Sequence, residues 1–221
     1  LAIALTLAEK NPLYEDLATK FSEHFIYIVD ALNGKRGTAH SLWNEQDGFF
    51  YDNLIAPDGE RIPVRGRTMV GFVPLFGVSA VPAALYDKFP NFKQRRQWFI
   101  EHRPDLIDPN GPMAVPGATG SLLLGLVETD QLRRMLEYML DESEFLSPNG
   151  IRAVSRYHLE HPFVIKLGDQ EYRLDYEPGE STTNLFGGNS NWRGPIWMPV
   201  NFLILYALLP YYEYYGDTFQ V

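Results

Sequence analysis

The sequence predicts an all-α fold, with about three helix pairs stacked as hairpins and long loops between them. Apolar residues recur at spacings of three and four through residues 13–32 and again through residues 130–140. This is the period of an amphipathic helix. The segments between the helices are rich in aromatic residues, which make up 14% of the chain. Helices that alternate with such loops favour stacked helical hairpins over a sheet protein.

Composition and charge exclude several classes of protein. The chain has 221 residues and a net charge of −9, with 19 Lys and Arg against 28 Asp and Glu. This acidic surplus argues against a nucleic-acid or membrane partner, because both select a basic face. The absence of cysteine excludes disulfides and thiolate chemistry. It fits a reducing compartment, so we expect a cytoplasmic location and neither a cofactor nor a metal.

The two ends of the chain indicate a fragment of a longer polypeptide. Residues 1–10 resemble the second half of a helix, without a capping residue or the charged start of a signal peptide. Residues 215–221 stop where a new element would begin. We therefore expect a single partial domain over residues 1–221, with the rest of its own polypeptide as a partner. The longest apolar run, residues 202–209, is too short to span a bilayer.

The next helix is predicted over residues 13–32. Asn11 and Pro12 precede it as a cap and a first-turn proline, and Asn33 and Gly34 follow it. Asparagine and proline are favoured at helix starts, and glycine is favoured just past helix ends. The local signals at both ends therefore agree with the apolar period between them.

Two more helical segments are predicted in the middle of the chain. Residues 69–86 are apolar, although four helix breakers interrupt them: Gly71, Pro74, Gly77 and Pro82. Residues 91–102 are basic and amphipathic. We expect this second segment to bury Phe92, Trp98 and Phe99.

The last two predicted helices lie in the second half of the chain. Residues 130–140 place their apolar side chains on one face, with Thr129 as the expected cap. The final helix begins at Pro195 or Pro199 and runs to about Tyr215. Because it is apolar on nearly every side, we expect it to be buried on every side.

Residues 172–197 hold the densest set of side chains suited to sugars. Hydroxyl groups need carboxylates, amides and guanidinium groups at fixed angles, and the C–H faces of a sugar need an aromatic platform. The segment supplies all of these: Asp175, Glu177 and Glu180, Asn184, Asn189 and Asn191, Arg173 and Arg193, and Trp192 and Trp197. The alternative is structural, with the two indoles anchoring the loop on a helix end and Arg193 capping a neighbouring helix.

Residues 43–53 form a second segment with candidate site residues. Asp47 and Gly48 predict a turn within residues 43–53, and the Phe49 to Asp52 stretch that follows alternates like a strand. This hairpin could present an aromatic beside an acid to a sugar, or it could bury its aromatic face. A second small hairpin is expected around residues 172–176.

Arginine and histidine residues offer weaker candidates for a site. Arg65 or Arg67, just before an apolar segment, could pair with a loop carboxylate such as Glu177 or Glu180, although a lone arginine there is most often structural. The histidines predict no site. His158 and His161 would need a helix and a third ligand to bind a metal.

A resemblance to a known family follows from these motifs. Residues 189–197, Asn-Ser-Asn-Trp-Arg-Gly-Pro-Ile-Trp, with Pro-Val-Asn-Phe-Leu at 199–203, resemble the Trp-Arg-Gly signature of glycoside hydrolase family 63 and its bacterial mannosylglycerate-hydrolase-like relatives. Trp43 with Asp47-Gly-Phe-Phe-Tyr-Asp52 is similar to another segment of that family, as are residues 67–76 and 145–152. The Trp-Arg-Gly-Pro-Ile-Trp motif is the most specific of these.

The resemblance implies an (α/α)6 barrel, of which this chain would supply about half. It also implies an inverting exo-glycosidase that acts on α-linked gluco- or manno-configured oligosaccharides or glycosides. Its general acid and general base would both lie outside this chain, so the chain alone would be inactive. The residues expected to bind substrate are Trp43, Asp47, Tyr51, Arg67, Glu177, Glu180, Asn189, Trp192, Arg193, Trp197 and Asn201.

Two other functions fit parts of the same pattern. A non-catalytic carbohydrate-binding helical toroid would share the aromatic and amide loops and would lack only the two catalytic carboxylates. A helical-toroid cyclase or a lyase would need a hydrophobic, Asp-rich or Tyr/His cavity, and the Asn, Arg and Glu residues of 172–197 argue against it.

Overall fold

The computed structural model describes residues 1–34, 41–179 and 195–221, and within these ranges the fold is mixed. Six α-helices are present there: α1 (Ala2–Ala8), α2 (Leu13–Asn33), α3 (Ala83–Tyr86), α4 (Pro90–His102), α5 (Thr129–Leu140) and α6 (Met198–Tyr215). Ten strands pair into five two-stranded antiparallel sheets in the same ranges. The prediction of an all-α fold, and of an (α/α)6 toroid with it, is wrong.

The ten strands are short. They are β1 (Trp43–Asn44), β2 (Phe49–Phe50), β3 (Asp52–Ile55), β4 (Arg61–Val64), β5 (Val78–Pro82), β6 (Ser121–Gly125), β7 (Leu146–Ser147), β8 (Gly150–Ile151), β9 (Phe163–Leu167) and β10 (Gln170–Leu174). β1 pairs with β2, β3 with β4, β5 with β6, β7 with β8, and β9 with β10. The predicted hairpins around residues 49–52 and 172–176 are confirmed.

The error about fold class arose mainly in residues 69–86. The glycine and proline residues interrupt the predicted α-helix. A 3-10 helix covers Met69–Phe76, and β5 then pairs with β6, with Val81 opposite Leu122. β6 is buried along its whole length, and its sequence, Ser-Leu-Leu-Leu-Gly, holds three consecutive leucines rather than an alternating pattern. Such a run does not distinguish a strand from a buried helix, and its partner strand is remote in the sequence.

The other predicted helices are confirmed, with local corrections. Gly34 follows α2 in a left-handed conformation with φ of 64°, as expected for a residue without a side chain. α5 is capped by Glu128, whose side chain and that of Gln131 form a capping box, rather than by Thr129. α4 buries Phe92 and Phe99 as predicted, but Trp98 is 40% exposed, and Arg95 lies over its ring.

One compact unit consists of Leu1–Ser41, Gly77–Val127 and Ala207–Gln220. Its core gathers side chains from α1, α2, β5, β6 and the start of α4. The buried Glu15 carboxylate accepts the Phe92 N–H at 2.9 Å and thereby caps α4 from a distance. The Asn33 side chain donates to the Leu126 carbonyl at 3.0 Å.

The other compact unit consists of Leu42–Phe76, Glu128–Tyr206 and Val221. Its centre is aromatic. The centre of the Phe49 ring lies 5.3 Å from that of Phe72 and 5.5 Å from that of Tyr138, and the ring centres of Phe72 and Phe145 are 4.8 Å apart. Gly71 packs directly on the Phe49 ring, where a side chain would clash. This aromatic centre fixes the β1–β2 hairpin, which carries several candidate site residues.

Helix α6 differs from its prediction. Its first residues belong to the second unit and its last residues to the first. Val200, Ile204 and Tyr211 are buried, but Phe202 and Leu205 are more than half exposed, so the expectation of burial on every side is wrong. Among the described helices, none is long and apolar enough to cross a membrane.

Candidate site around Arg67 and Glu144

The β1–β2 hairpin presents its turn through local hydrogen bonds. The Asn44 side chain accepts the Asp47 N–H at 2.8 Å, and Gly48 adopts a φ of 69°. The Arg134 guanidinium donates to the Glu45 carbonyl at 2.7 Å. Tyr138 donates its hydroxyl to the Asp47 carbonyl at 2.7 Å. Two side chains of α5 therefore hold the turn that carries Asp47.

The backbone of Arg67 is held on both sides. Its N–H donates to Nε2 of His158 at 2.8 Å, and its carbonyl accepts the Ser155 N–H at 2.9 Å. Thr68 and Val154 form an antiparallel bridge next to it. The backbone position from which the Arg67 side chain extends is therefore fixed by a segment almost ninety residues further along the chain.

The guanidinium of Arg67 lies between two tyrosine rings. Its central carbon is 4.1 Å from the centre of the Tyr157 ring and 4.8 Å from that of Tyr138. Nη1 donates to Oε1 of Glu144, and the Ser155 hydroxyl donates to the other carboxylate oxygen of Glu144. Cation–π contacts and a charge-assisted hydrogen bond thus fix one orientation of the arginine.

Tyr51 joins this ion pair to the hairpin. Its hydroxyl lies near the Arg67 guanidinium and the Asp47 carboxylate, and both groups act on the pKa of the phenol. Burial raises the pKa of Tyr51 to about 12, so the phenol stays protonated at neutral pH. We call the resulting chain of Asp47, Tyr51, Arg67 and Glu144 the Arg67 network.

Burial and neighbouring charges shift the pKa values of Glu144, Arg67 and the adjacent His158. Burial raises the pKa of Glu144, against the opposing effects of the Ser155 hydroxyl and Arg67. The Glu144 carboxylate in turn raises the pKa of Arg67, although burial acts in the opposite direction. Burial lowers the pKa of His158. Because its Nε2 accepts from Arg67 and its Nδ1 lies 2.8 Å from the His161 carbonyl, His158 is held as the neutral Nδ1–H tautomer.

A surface cleft of about 360 Å³ opens beside the network. Its walls combine four carboxylates, an amide, a guanidinium and a phenol: Asp47, Glu137, Asp141, Glu144, Gln46, Arg134 and Tyr138. Asp47 and Glu144 belong to both the network and the cleft, and Tyr138 of the cleft contacts Arg67, so network and cleft form one candidate site. Among the described residues, no three His, Cys, Asp or Glu side chains gather as metal ligands.

The structure brings three of the sequence-predicted residues together, namely Asp47, Tyr51 and Arg67. Arg67 pairs with Glu144 rather than with Glu177 or Glu180. Trp43 lies on the same hairpin, where its indole N–H donates to Glu45 at 2.7 Å and its ring packs edge-on against Phe50.

The remaining predicted residues lie elsewhere or are not described. Asn201 is buried and bonds both backbone groups of Ile151, at 2.6 Å and 3.1 Å, so its amide secures β8. Trp197 is half-buried and its carbonyl accepts from Asn201. Glu177 is half-buried, three residues past β10. Glu180, Asn189, Trp192 and Arg193 fall outside the described residues.

Sequence reasoning missed Glu144, the buried carboxylate of the site. It stands in Asp141-Glu-Ser-Glu144, an acidic stretch between α5 and a buried phenylalanine. No local signal identified it, because an acidic residue beside a buried phenylalanine normally stays at the surface unless it is paired. Tyr138, on the helix face next to the apolar stripe, was missed as well.

A yeast protein is similar to the whole length of this chain. The chain is 44% identical over 234 aligned residues to the uncharacterized protein YMR196W of Saccharomyces cerevisiae, a match that covers 100% of this chain and 21% of the yeast protein. The chain thus spans about a fifth of the length of that relative. No family model matches the chain. The resemblance to glycoside hydrolase family 63 therefore stays a prediction.

Proposed function

We propose that the cleft beside the Arg67 network binds a sugar, and that the chain is part of a glycoside hydrolase acting on α-linked gluco- or manno-configured oligosaccharides. The observation that carries the proposal is the wall of this cleft, where carboxylates, an amide, a guanidinium and a phenol surround about 360 Å³. Ligand sites in proteins have volumes of roughly 300–1,000 Å³. The cleft is of a size for one sugar unit.

The charge of the cleft favours a neutral polyhydroxyl ligand over an anion. Asp47, Glu137, Asp141 and Glu144 supply four carboxylates against the single guanidinium of Arg134. Carboxylates accept hydrogen bonds and guanidinium groups donate them, so together they satisfy hydroxyls, which do both. A phosphate or a carboxylate ligand would be repelled.

The network supports binding by fixing two of the walls. Arg67 is paired with Glu144, and Tyr51 lies between Arg67 and the Asp47 carboxylate as a neighbour of both. Side chains that are already ordered lose little conformational freedom when a ligand arrives. We therefore assign Arg67 and Tyr51 as positioning residues, and Asp47 and Tyr138 as residues that contact the sugar.

Hydrolysis belongs to the longer protein in this proposal. Inversion needs an acid and a base about 6.5–9.5 Å apart with a water between them. Glu144 is already bonded to both Arg67 and Ser155, so it has little freedom to exchange a proton with a substrate. The catalytic pair is expected from polypeptide outside this chain, as the family resemblance implies.

The second candidate is a carbohydrate-binding segment without catalysis. The pairing of Glu144 favours it. Glu144 is the one buried carboxylate among the cleft-lining residues, and it forms a structural ion pair with Arg67. The two candidates share the cleft and differ only in what the longer protein does with a bound sugar.

A binding experiment followed by a hydrolysis experiment tests both parts. Methyl α-glucoside and methyl α-mannoside are titrated against the protein by calorimetry, with Asp47→Asn compared with Asp58→Asn, a change in an exposed turn. We expect saturable binding that Asp47→Asn weakens at least tenfold, about 1.4 kcal/mol, and that Asp58→Asn leaves unchanged. Equal affinities, or no saturable binding, would contradict the sugar site.

The hydrolysis arm uses the full-length gene product with α-linked gluco- and manno-disaccharides. Release of the β-anomer, followed by proton NMR, is expected of an inverting enzyme. Binding without any release supports the non-catalytic candidate instead.

A further inference from the structure

Helix α6 carries two apolar stripes rather than one. The buried stripe consists of Val200, Ile204, Ala207, Tyr211 and Tyr214. A second stripe consists of Met198, Phe202, Leu205, Leu209 and Tyr212, and its members are between 61% and 67% exposed. Both stripes advance by four, three, four and three residues, which is the spacing of a coiled-coil seam. We call the exposed one the outer stripe.

The outer stripe is not an ordinary solvent face. An exposed apolar patch that runs along about four turns of helix is the usual mark of an interaction surface. Only one charged residue, Glu213, lies within Met198–Tyr215. Solvent-facing sides of helices in water are normally charged or polar.

The chemistry of the outer stripe points to protein rather than to lipid. A helix that lies on a membrane surface places Lys and Arg along its polar side, where they meet anionic headgroups. Met198–Tyr215 contains no Lys or Arg, and the whole chain has a net charge of −9. An uncharged stripe with coiled-coil spacing fits an equally apolar helix that packs at about 20° to it.

We propose that the outer stripe is covered by an apolar helix from polypeptide that flanks this chain. In the yeast relative the aligned region is 21% of the protein, so most of that polypeptide lies outside it. A helix attached to the same chain is present at a high effective concentration, which favours it over a separate partner. The proposal does not depend on the proposed sugar site.

A second helix shows the same two-sided character. α2 buries Ala18, Ile26 and Val29, yet Leu13 is 76% exposed and Ile28 is 50% exposed. Both of the longest helices therefore present apolar side chains outward. This is expected of a segment that lies inside a larger fold.

Site-resolved thiol labelling of the full-length gene product tests the proposal. Leu205→Cys places a thiol on the outer stripe, and Leu140→Cys is the matched control at an exposed leucine, 50% exposed at the end of α5. Maleimide labelling is followed by peptide mass spectrometry, which separates these thiols from any others. In the native protein we expect the Leu205→Cys thiol to react at least tenfold more slowly than the Leu140→Cys thiol, and in urea equally fast.

Each other outcome overturns the proposal in a distinct way. Equal labelling rates of the two thiols in the native protein mean that the outer stripe is exposed to solvent. Protection that disappears on dilution identifies a second copy, and protection that requires added lipid vesicles identifies a membrane. As an independent readout, Leu205→Glu should lower the unfolding midpoint of the full-length protein more than Leu140→Glu, and equal shifts would contradict the proposal.

Discussion

Two buried glutamates, one in each compact unit, show how the same group serves different ends. Glu15 is 6% exposed and Glu144 is 8% exposed, and each lies at the wall of a surface cleft. Glu15 accepts the Phe92 N–H and the Asn91 side chain at the start of α4. Glu144 instead receives the Arg67 guanidinium and the Ser155 hydroxyl.

The two glutamates differ in which other groups their partners contact. The partners of Glu15 belong to the first turn of one helix, so the carboxylate completes that helix and its role ends there. Arg67 also lies beside Tyr51, which in turn lies near Asp47 at the wall of the second cleft. Burial of a carboxylate therefore does not mark a site by itself, and its link to other polar groups at a cleft does.

The largest effect is expected from Arg67→Met. It leaves Glu144 buried without its positive partner, and breaking a buried pair in this way costs about 3–5 kcal/mol. Urea unfolding should show this loss, whereas Arg65→Met, at an exposed arginine two residues away, should change little. The double variant Arg67→Met/Glu144→Met should recover most of the stability, and a double variant no better than Arg67→Met alone would contradict the pairing.

A smaller effect is expected from Glu15→Ala. The variant removes the acceptor for the first turn of α4, and loss of such a cap costs about 0.5–2 kcal/mol. Urea unfolding measures the cost, with Glu9→Ala as the control at an exposed glutamate. Sugar affinity should stay unchanged, and a tenfold loss of affinity would erase the contrast between the two glutamates.

The smallest expected effect is a dependence of the free energy of unfolding on pH. The pKa of His158 is lowered by burial, so the unfolded state binds the proton more tightly than the folded state. Stability should therefore rise with pH up to about 6.5, with a slope of at most about 1.4 kcal/mol per pH unit, and should fall on acidification below 6.5. The slope ends where the lowered pKa of the folded state is passed.

The variant His158→Gln isolates this contribution. Subtracting its unfolding free energy from that of the unmodified chain at each pH should leave the predicted slope. His24→Gln, at an exposed histidine, is the matched control. If the two variants give the same difference curve, His158 is not the neutral anchor of the Arg67 backbone.

Local signals in the sequence predicted local structure well. The cap at Asn11 and Pro12, the glycine at Gly34 and the Asp47-Gly48 turn lie where the structure has helix ends and a hairpin. Asp47, Tyr51 and Arg67 were predicted to bind substrate because acids, phenols and guanidinium groups near turns are the usual donors and acceptors of binding sites. The structure places the three near one another, and their role in binding stays a prediction.

Remote pairings were beyond the local signals. Arg67 and Glu144 are 77 residues apart, and β5 pairs with a strand some forty residues away. Nothing in the neighbourhood of either partner identifies the other, so the ion pair and the mixed fold both went unpredicted. The outer stripe of α6 was recognised as apolar, but the apolar pattern did not reveal which side this chain covers.

Fluorine NMR of the protein labelled with 3-fluorotyrosine tests the sugar cleft most directly. The Tyr138 resonance, assigned by its loss in Tyr138→Phe, reports from the cleft wall, and Tyr172 on the β9–β10 hairpin is the reference. With methyl α-glucoside or methyl α-mannoside, we predict a saturable shift of the Tyr138 resonance and none of the Tyr172 resonance. A Tyr138 resonance that stays in place, or moves together with that of Tyr172, would contradict the account.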